Sequence, residues 1–219
     1  MSAIASTLAL PLDRPDRTTT TARSRRADVA LVLGVPLLWA VVLLFHPTGD
    51  PEKALEVIRA DHGAWMFVHV TMVAFIPLMA VAVHRLVRGV DSTPARISRW
   101  AMPLFVAAYG AFEALMGLAT GILAGTADGA DDPARAEMVQ DLMHSRVLAN
   151  LERVGSLAWG VVLVAAAFAL RRAHRIGPWS VTGFVVAAPL IAVHAPPFGP
   201  VGLAVFVAAA LPALRHDRT

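Results

Sequence analysis

The sequence predicts an all-α polytopic membrane bundle of about six transmembrane helices, with short amphipathic helices in its outer loops. Three observations predict it. Apolar runs long enough to cross a hydrocarbon layer of about 30 Å recur along the chain of 219 residues. Charged residues are 16% of the whole, against about a quarter in a soluble domain, and they gather between those runs. The basic residues, nearly all arginine, concentrate in alternate connections.

The chain divides into an Arg-rich tail over 1–27, a transmembrane domain over 28–215 and a short tail over 216–219. The first tail is polar, with a threonine run at Thr18 to Thr21, and is expected to be disordered and cytoplasmic. Its Ser24-Arg25-Arg26 resembles the start of a twin-arginine export signal. Asp28 follows it, however, and no small-x-small cleavage site appears, so the next apolar run reads as a retained first span. The spans read as Val29–Phe45, Ala64–Leu86, Trp100–Ala124, Val154–Leu170, Trp179–Val193 and Phe198–Leu214. The last two are short, contain Pro189 and Pro200, and meet through Ala195-Pro-Pro-Phe-Gly-Pro200 as a tight hairpin or a partly re-entrant pair.

Two outer loops carry helical periodicity. Asp50 to His62 brings Leu55, Val57 and Ile58 together, with Pro51 suited to a first turn. Asp132-Pro133 is expected to start a helix running to about Leu151, with Met138, Val139, Leu142, Met143 and Val147 along an apolar stripe.

Charge sets the orientation. Most of the 19 basic residues fall in the first tail, the 87–99 and 171–178 loops and the last tail, whereas most acids fall on the other side. Arginine-rich connections mark the cytoplasm, so both termini are expected there, in a bacterial cytoplasmic membrane. The sequence pI of about 10.5 is then a topology signal rather than a nucleic-acid-binding face. Trp65, Trp100 and Trp179 sit at span ends, where interfacial indoles are expected. The absence of cysteine excludes disulfides, thiolate metal sites, iron–sulfur clusters and c-type haem attachment.

Glu113 is the one acidic residue inside the six spans. A carboxyl group at the bilayer centre costs roughly 3 kcal/mol on insertion scales, which marks it as a residue with a partner. It begins a ridge at spacing four, Glu113, Gly117, Gly121 and Gly125, with Tyr109 one turn before it. A glycine ridge admits another backbone closely, from a neighbouring helix, a protein partner or a second copy of the chain. Glu113 should therefore face protein. It is either a protonated, hydrogen-bonded structural group or a proton-, cation- or metal-linked one.

The histidines separate by side. His46, His62, His69, His144 and His194 belong to the outer half, whereas His84, His174 and His216 sit among cytoplasmic arginines. No His-x3-His or His-Glu-x2-His occurs, so any metal site must be assembled from distant segments; His46, His69, His144 and His194 are its candidate ligands. On adjacent antiparallel helices His69 and Glu113 would differ in depth by about 7–8 Å, a gap for a water, a metal or two extended side chains. No cofactor is favoured. Zn²⁺ and b-type haem are the ones that His69 with His46 or His194 could serve, although the paired histidines of membrane cytochromes b are missing.

In Phe45-His-Pro-Thr-Gly-Asp50 and His194-Ala-Pro-Pro-Phe-Gly-Pro200, and in layout, the chain resembles small, functionally unassigned six-span bacterial membrane proteins. That resemblance implies the bundle and carries no activity. The expectation is a non-enzymatic transporter, sensor or partner subunit, with an outward-opening polar pocket built on Glu113, His69 and Tyr109. The alternative is a metal-dependent membrane enzyme, with outer histidines as ligands and Glu113 as acid/base. Expected partners are the lipid bilayer and a protein partner or second copy at the glycine ridge, and not nucleic acid.

Overall fold

The structure is a computed structural model and describes residues 26–125 and 133–216. The expected tails over 1–25 and 217–219, and the Asp132 cap, lie outside the described residues. Those described form helices joined by turns, with no strand among them. We number them α1 (Arg26–Leu43), α2 (Ala54–Ala60), α3 (His62–Leu86), α4 (Thr93–Gly125), α5 (Pro133–Met143), α6 (Arg146–Arg172), α7 (Pro178–Val193) and α8 (Phe198–His216).

Length and composition make five helical segments able to cross a membrane: α1, α3, α4, the stretch Pro133–Arg172 that contains α6, and α8. The sixth apolar helix, α7, has 16 residues. At 1.5 Å per residue it rises about 24 Å, short of a full hydrocarbon layer.

Local chemistry sets the helix boundaries. The Asp61 carboxylate accepts from Ala64 N–H at 3.1 Å to start α3, and Ser92 Oγ accepts from Ala95 N–H at 3.3 Å to start α4. Pro178 opens α7, where its missing N–H leaves no bond unmade. Arg99 Nη2 donates to the Val87 and Val90 carbonyls just beyond α3, at 3.1 and 2.7 Å. Between Met143 and Arg146 the chain turns at His144 and Ser145. The single outer helix expected through Leu151 is therefore two, and Val147 belongs to the long α6.

The six apolar helices close into a ring. α1 lies against α3, α3 against α4, α4 along α6, α6 against α7, α7 along α8, and α8 returns to α1. Inside it Trp39, Met72, Met79, Phe105, Trp159, Leu163, Phe184 and Phe206 are buried. Outside, Leu37, Leu38, Phe67, Val70, Leu104, Ile122, Leu157 and Phe168 are exposed. Apolar side chains on both surfaces suit a lipid solvent rather than water.

Trp100 and Trp179 are 80% and 89% exposed at the starts of their helices, as interfacial indoles would be. Trp65 is different. It is 7% exposed, and its indole N–H donates to the Gly117 carbonyl at 2.8 Å across the α3–α4 contact. Gly121, whose missing Cβ would lie 3.0 Å from the indole, leaves room for the ring.

The glycine ridge of α4 faces α3. A Cβ at Gly117 would strike the His69 ring; at Gly121 it would meet Met66 and Trp65, and at Gly125 the His62 ring. The two antiparallel helices thus interlock, with bulky α3 side chains seated over each α4 glycine. Gly117→Ala is expected to destabilise the bundle by about 1–3 kcal/mol, because a packed ring must move. Gly110→Ala, where a new Cβ meets nothing within 4 Å, should leave stability unchanged or slightly raised. Thermal unfolding of the two variants in detergent checks the contrast.

Candidate metal centre

The candidate site lies at the end of the ring where α1, α4 and α7 finish and α3 and α6 begin. His46 follows α1, His69 stands on the second turn of α3, Glu113 on α4, and His194 just after α7. One ring nitrogen from each of His46, His69 and His194 lies within 4.8 Å of the others. The His46 ring centroid is 5.1 Å from that of His69 and 5.3 Å from that of His194. Glu113, 1% exposed, completes the group: Oε2 is 4.0 Å from His69 Nε2 and Oε1 is 3.9 Å from His194 Nδ1.

Hydrogen bonds orient the imidazoles. His46 Nδ1 is 2.7 Å from the Pro47 carbonyl, and His69 Nδ1 is 2.8 Å from the Trp65 carbonyl. A carbonyl only accepts, so both Nδ1 atoms carry the proton and both Nε2 atoms keep a lone pair. This outer bond, from ring N–H to carbonyl, is the one that steadies a metal-ligating histidine. The His46 Nε2 atom is buried with no hydrogen-bond partner, and so is Glu113 Oε1. Buried polar atoms are rarely left so, and here a lone pair and a carboxylate oxygen are both without donors in one small volume.

Tyr109 governs the third ring. Its hydroxyl is 2.9 Å from the Ala192 carbonyl and 3.0 Å from His194 Nδ1. When the tyrosine proton goes to the carbonyl, its oxygen accepts from Nδ1–H, and His194 Nε2 keeps its lone pair. The reverse arrangement places the proton on Nε2. Burial is the first cause holding both His46 and His194 below the ordinary histidine range, which keeps these imidazoles neutral. The proximity of the other histidines adds to the effect at His194. Neutral imidazole is the form that binds a metal.

The donor set suits a borderline transition ion such as Zn²⁺. Three imidazoles with one open or carboxylate-filled position match tetrahedral zinc, with nitrogens about 2.0–2.1 Å from the ion. Contraction from 4.8 Å to tetrahedral spacing takes ring movements of about 1 Å, within the reach of side-chain rotation. Three nitrogens converging on one point fit a single ion better than an axial pair astride a porphyrin.

Of the candidate ligands named from sequence, His46, His69 and His194 meet, and His144 does not. The His144 ring is exposed and 3.7 Å from Glu52. Tyr109 joins through His194 rather than through direct contact with His69. Trp65 is a neighbour the sequence reading assigned elsewhere; its ring centroid is 4.3 Å from that of His69. The four-residue spacing of Trp65 and His69 on one helix is the signal that could have placed it. A cavity of about 230 Å³ adjoins the cluster, lined among others by His46, Thr48, Asp50, Val57, Trp65 and Met143.

The backbone at His194 is unusual. Its φ of +41° lies where side chains are disfavoured, and such strain persists where the surroundings fix it. His194→Gly should relieve that strain, leaving the thermal stability of metal-free protein equal or higher while removing one ligand. A clear loss of stability in that variant would make His194 a packing residue instead.

No protein-family model matches this chain, nor does any curated protein or solved structure.

Proposed function

We propose that this chain is a multi-pass protein of the bacterial cytoplasmic membrane that holds one divalent transition-metal ion near its outer face. Its arginine-rich end lies in the cytoplasm, all six apolar helices cross or enter the bilayer, and α2 and α5 roof the outer end. The observation that carries the reading is the convergence of His46, His69 and His194, from three separate segments, beside the buried carboxylate of Glu113. No sequence-local motif forces them together, and neutral imidazoles gain little from crowding one another.

The class of chemistry is metal-assisted hydrolysis. An ion held by His46, His69 and His194 would supply Lewis acidity there. The Glu113 carboxylate is 3.9–4.0 Å from two of the ring nitrogens, close enough to accept a proton beside the ion. Tyr109 positions His194, and the Trp65 ring packs beside His69 under α2 and α5.

A second reading has its own support. The same contacts without an ion form a proton- or cation-responsive pocket, as a small transporter or sensor would use, because Glu113 Oε1 has no hydrogen-bond donor.

Metal analysis separates them. Protein purified in detergent, stripped with chelator and reloaded with Zn²⁺ or Co²⁺ should hold one ion per chain, with Co²⁺ giving the visible spectrum of a tetrahedral site. Alanine at His46, His69 or His194 should each weaken binding by about 10–100-fold or more, whereas His144→Ala should leave it unchanged. Glu113→Gln should retain the ion and alter the Co²⁺ spectrum. A correctly folded protein that takes up no ion would end the metal reading and leave the proton-responsive pocket.

A further inference from the structure

The opposite end of the ring carries a different constellation. Asp28 near the start of α1, Arg85 and Arg88 at the end of α3, and Arg175 in the α6–α7 turn surround a second cavity, of about 100 Å³. The last turns of α8 close it with Ala213 and Leu214, and Val32 and Leu86 complete the lining. At about 30 Å³ per water, that space holds about three waters or one tetrahedral oxyanion.

Among the lining residues, the Arg85 and Arg88 guanidinium groups share the one Asp28 carboxylate. Asp28 shares its two oxygens between them: Oδ1 is 3.3 Å from Arg85 Nη1 and Oδ2 is 2.8 Å from Arg88 Nη2. Each of these arginines thus engages Asp28 through one nitrogen, out of the five N–H donors a guanidinium offers. Arg175 Nη1 donates to the Leu86 and Arg88 carbonyls at 3.3 and 3.4 Å, which ties the turn to the end of α3. The arginines are therefore held by bonds among three chain segments, the start of α1, the end of α3 and the α6–α7 turn. Asp28 acts as their spacer.

A guanidinium fork matches the oxygens of a phosphate in pairs, which an ammonium cannot do. The cavity also sits where the apolar helices end, the level at which lipid phosphates lie, and basic pockets between helices at that level bind headgroups. We propose that this cavity is an anion site that takes a phosphate group, gripped by Arg85 and Arg88 with Arg175 completing the positive rim. The phosphate comes from an anionic phospholipid or from a free phosphate ion.

The test uses the full chain in nanodiscs of mixed phosphatidylglycerol and phosphatidylcholine. Native mass spectrometry on release should show phosphatidylglycerol retained in preference to phosphatidylcholine. Arg88→Gln should reduce that retention about tenfold, the scale of one charge-assisted contact. The Arg88 side chain is 50% exposed, so the fold should tolerate the change, and Arg85→Gln gives a second measurement. Arg96→Gln, an exposed arginine of the same end that does not line the cavity, should change nothing. If no phospholipid preference appears, millimolar inorganic phosphate in phosphatidylcholine-only nanodiscs is followed by phosphorus NMR; binding that depends on Arg88 would assign the site to the free ion. Absence of both effects, or equal losses in Arg88→Gln and Arg96→Gln, would overturn the proposal and leave the arginines as a structural network.

Discussion

The contact between α3 and α4 at Gly117 is the constraint on which the rest of the candidate site depends. Gly117 lacks a side chain, so the His69 ring fills the space a Cβ would occupy, and the Trp65 indole reaches the Gly117 carbonyl. That carbonyl lies in a π-helical turn, Ala114–Ala119, which follows Glu113 directly. Wider turns of this kind recur at functional positions because they free or re-aim backbone groups. Thr120 adds a hydroxyl bond to the carbonyls of Met116 and Gly117, satisfying the same stretch from within. The result is a helix pair close enough for His69 Nε2 and Glu113 Oε2 to lie 4.0 Å apart.

The fold class was legible in the sequence because lipid imposes it: a chain with these apolar runs must satisfy its backbone within helices. The direction of Glu113 was legible too, since spacing of four ties it to the glycine ridge. Its separation from His69 was not. Helical rise alone gives about 7–8 Å, and that estimate treats the axes as level and ignores how far two side chains lean toward each other. His46 and His194 each lie just past the end of an apolar helix, yet only ring closure of α8 onto α1 brings their segments side by side.

Two misplacements have plain physical causes. Trp65 stands at a span end, where the commonest tryptophan is an interfacial anchor. What outweighs that preference is a partner missing its side chain, and this shows only when α3 and α4 are read together. Beyond Pro133 at its start, the outer helix expected through Leu151 contains no proline or glycine to break it. It turns instead at His144 and Ser145, where the polar outer segment gives way to the buried stretch headed by Leu148, which is 2% exposed. Apolar periodicity could not register that change because Met143 and Val147 continue the stripe across it.

The imidazole tautomers supply the last step. A cluster of three neutral histidines sealed by hydrogen bonds among themselves would be a packing feature, each ring donating to the next. Here the protons of His46 and His69 are drawn outward, to carbonyls of Pro47 and Trp65, and their lone pairs are turned inward. Lone pairs facing one another repel, and the buried Glu113 beside them offers a donor only when it carries a proton. A metal ion, a proton carried by one of these groups or a water molecule that donates would satisfy such an arrangement. The outward bonds to two backbone carbonyls thus turn the His46 and His69 lone pairs toward the centre of the cluster, as a metal ligand set requires.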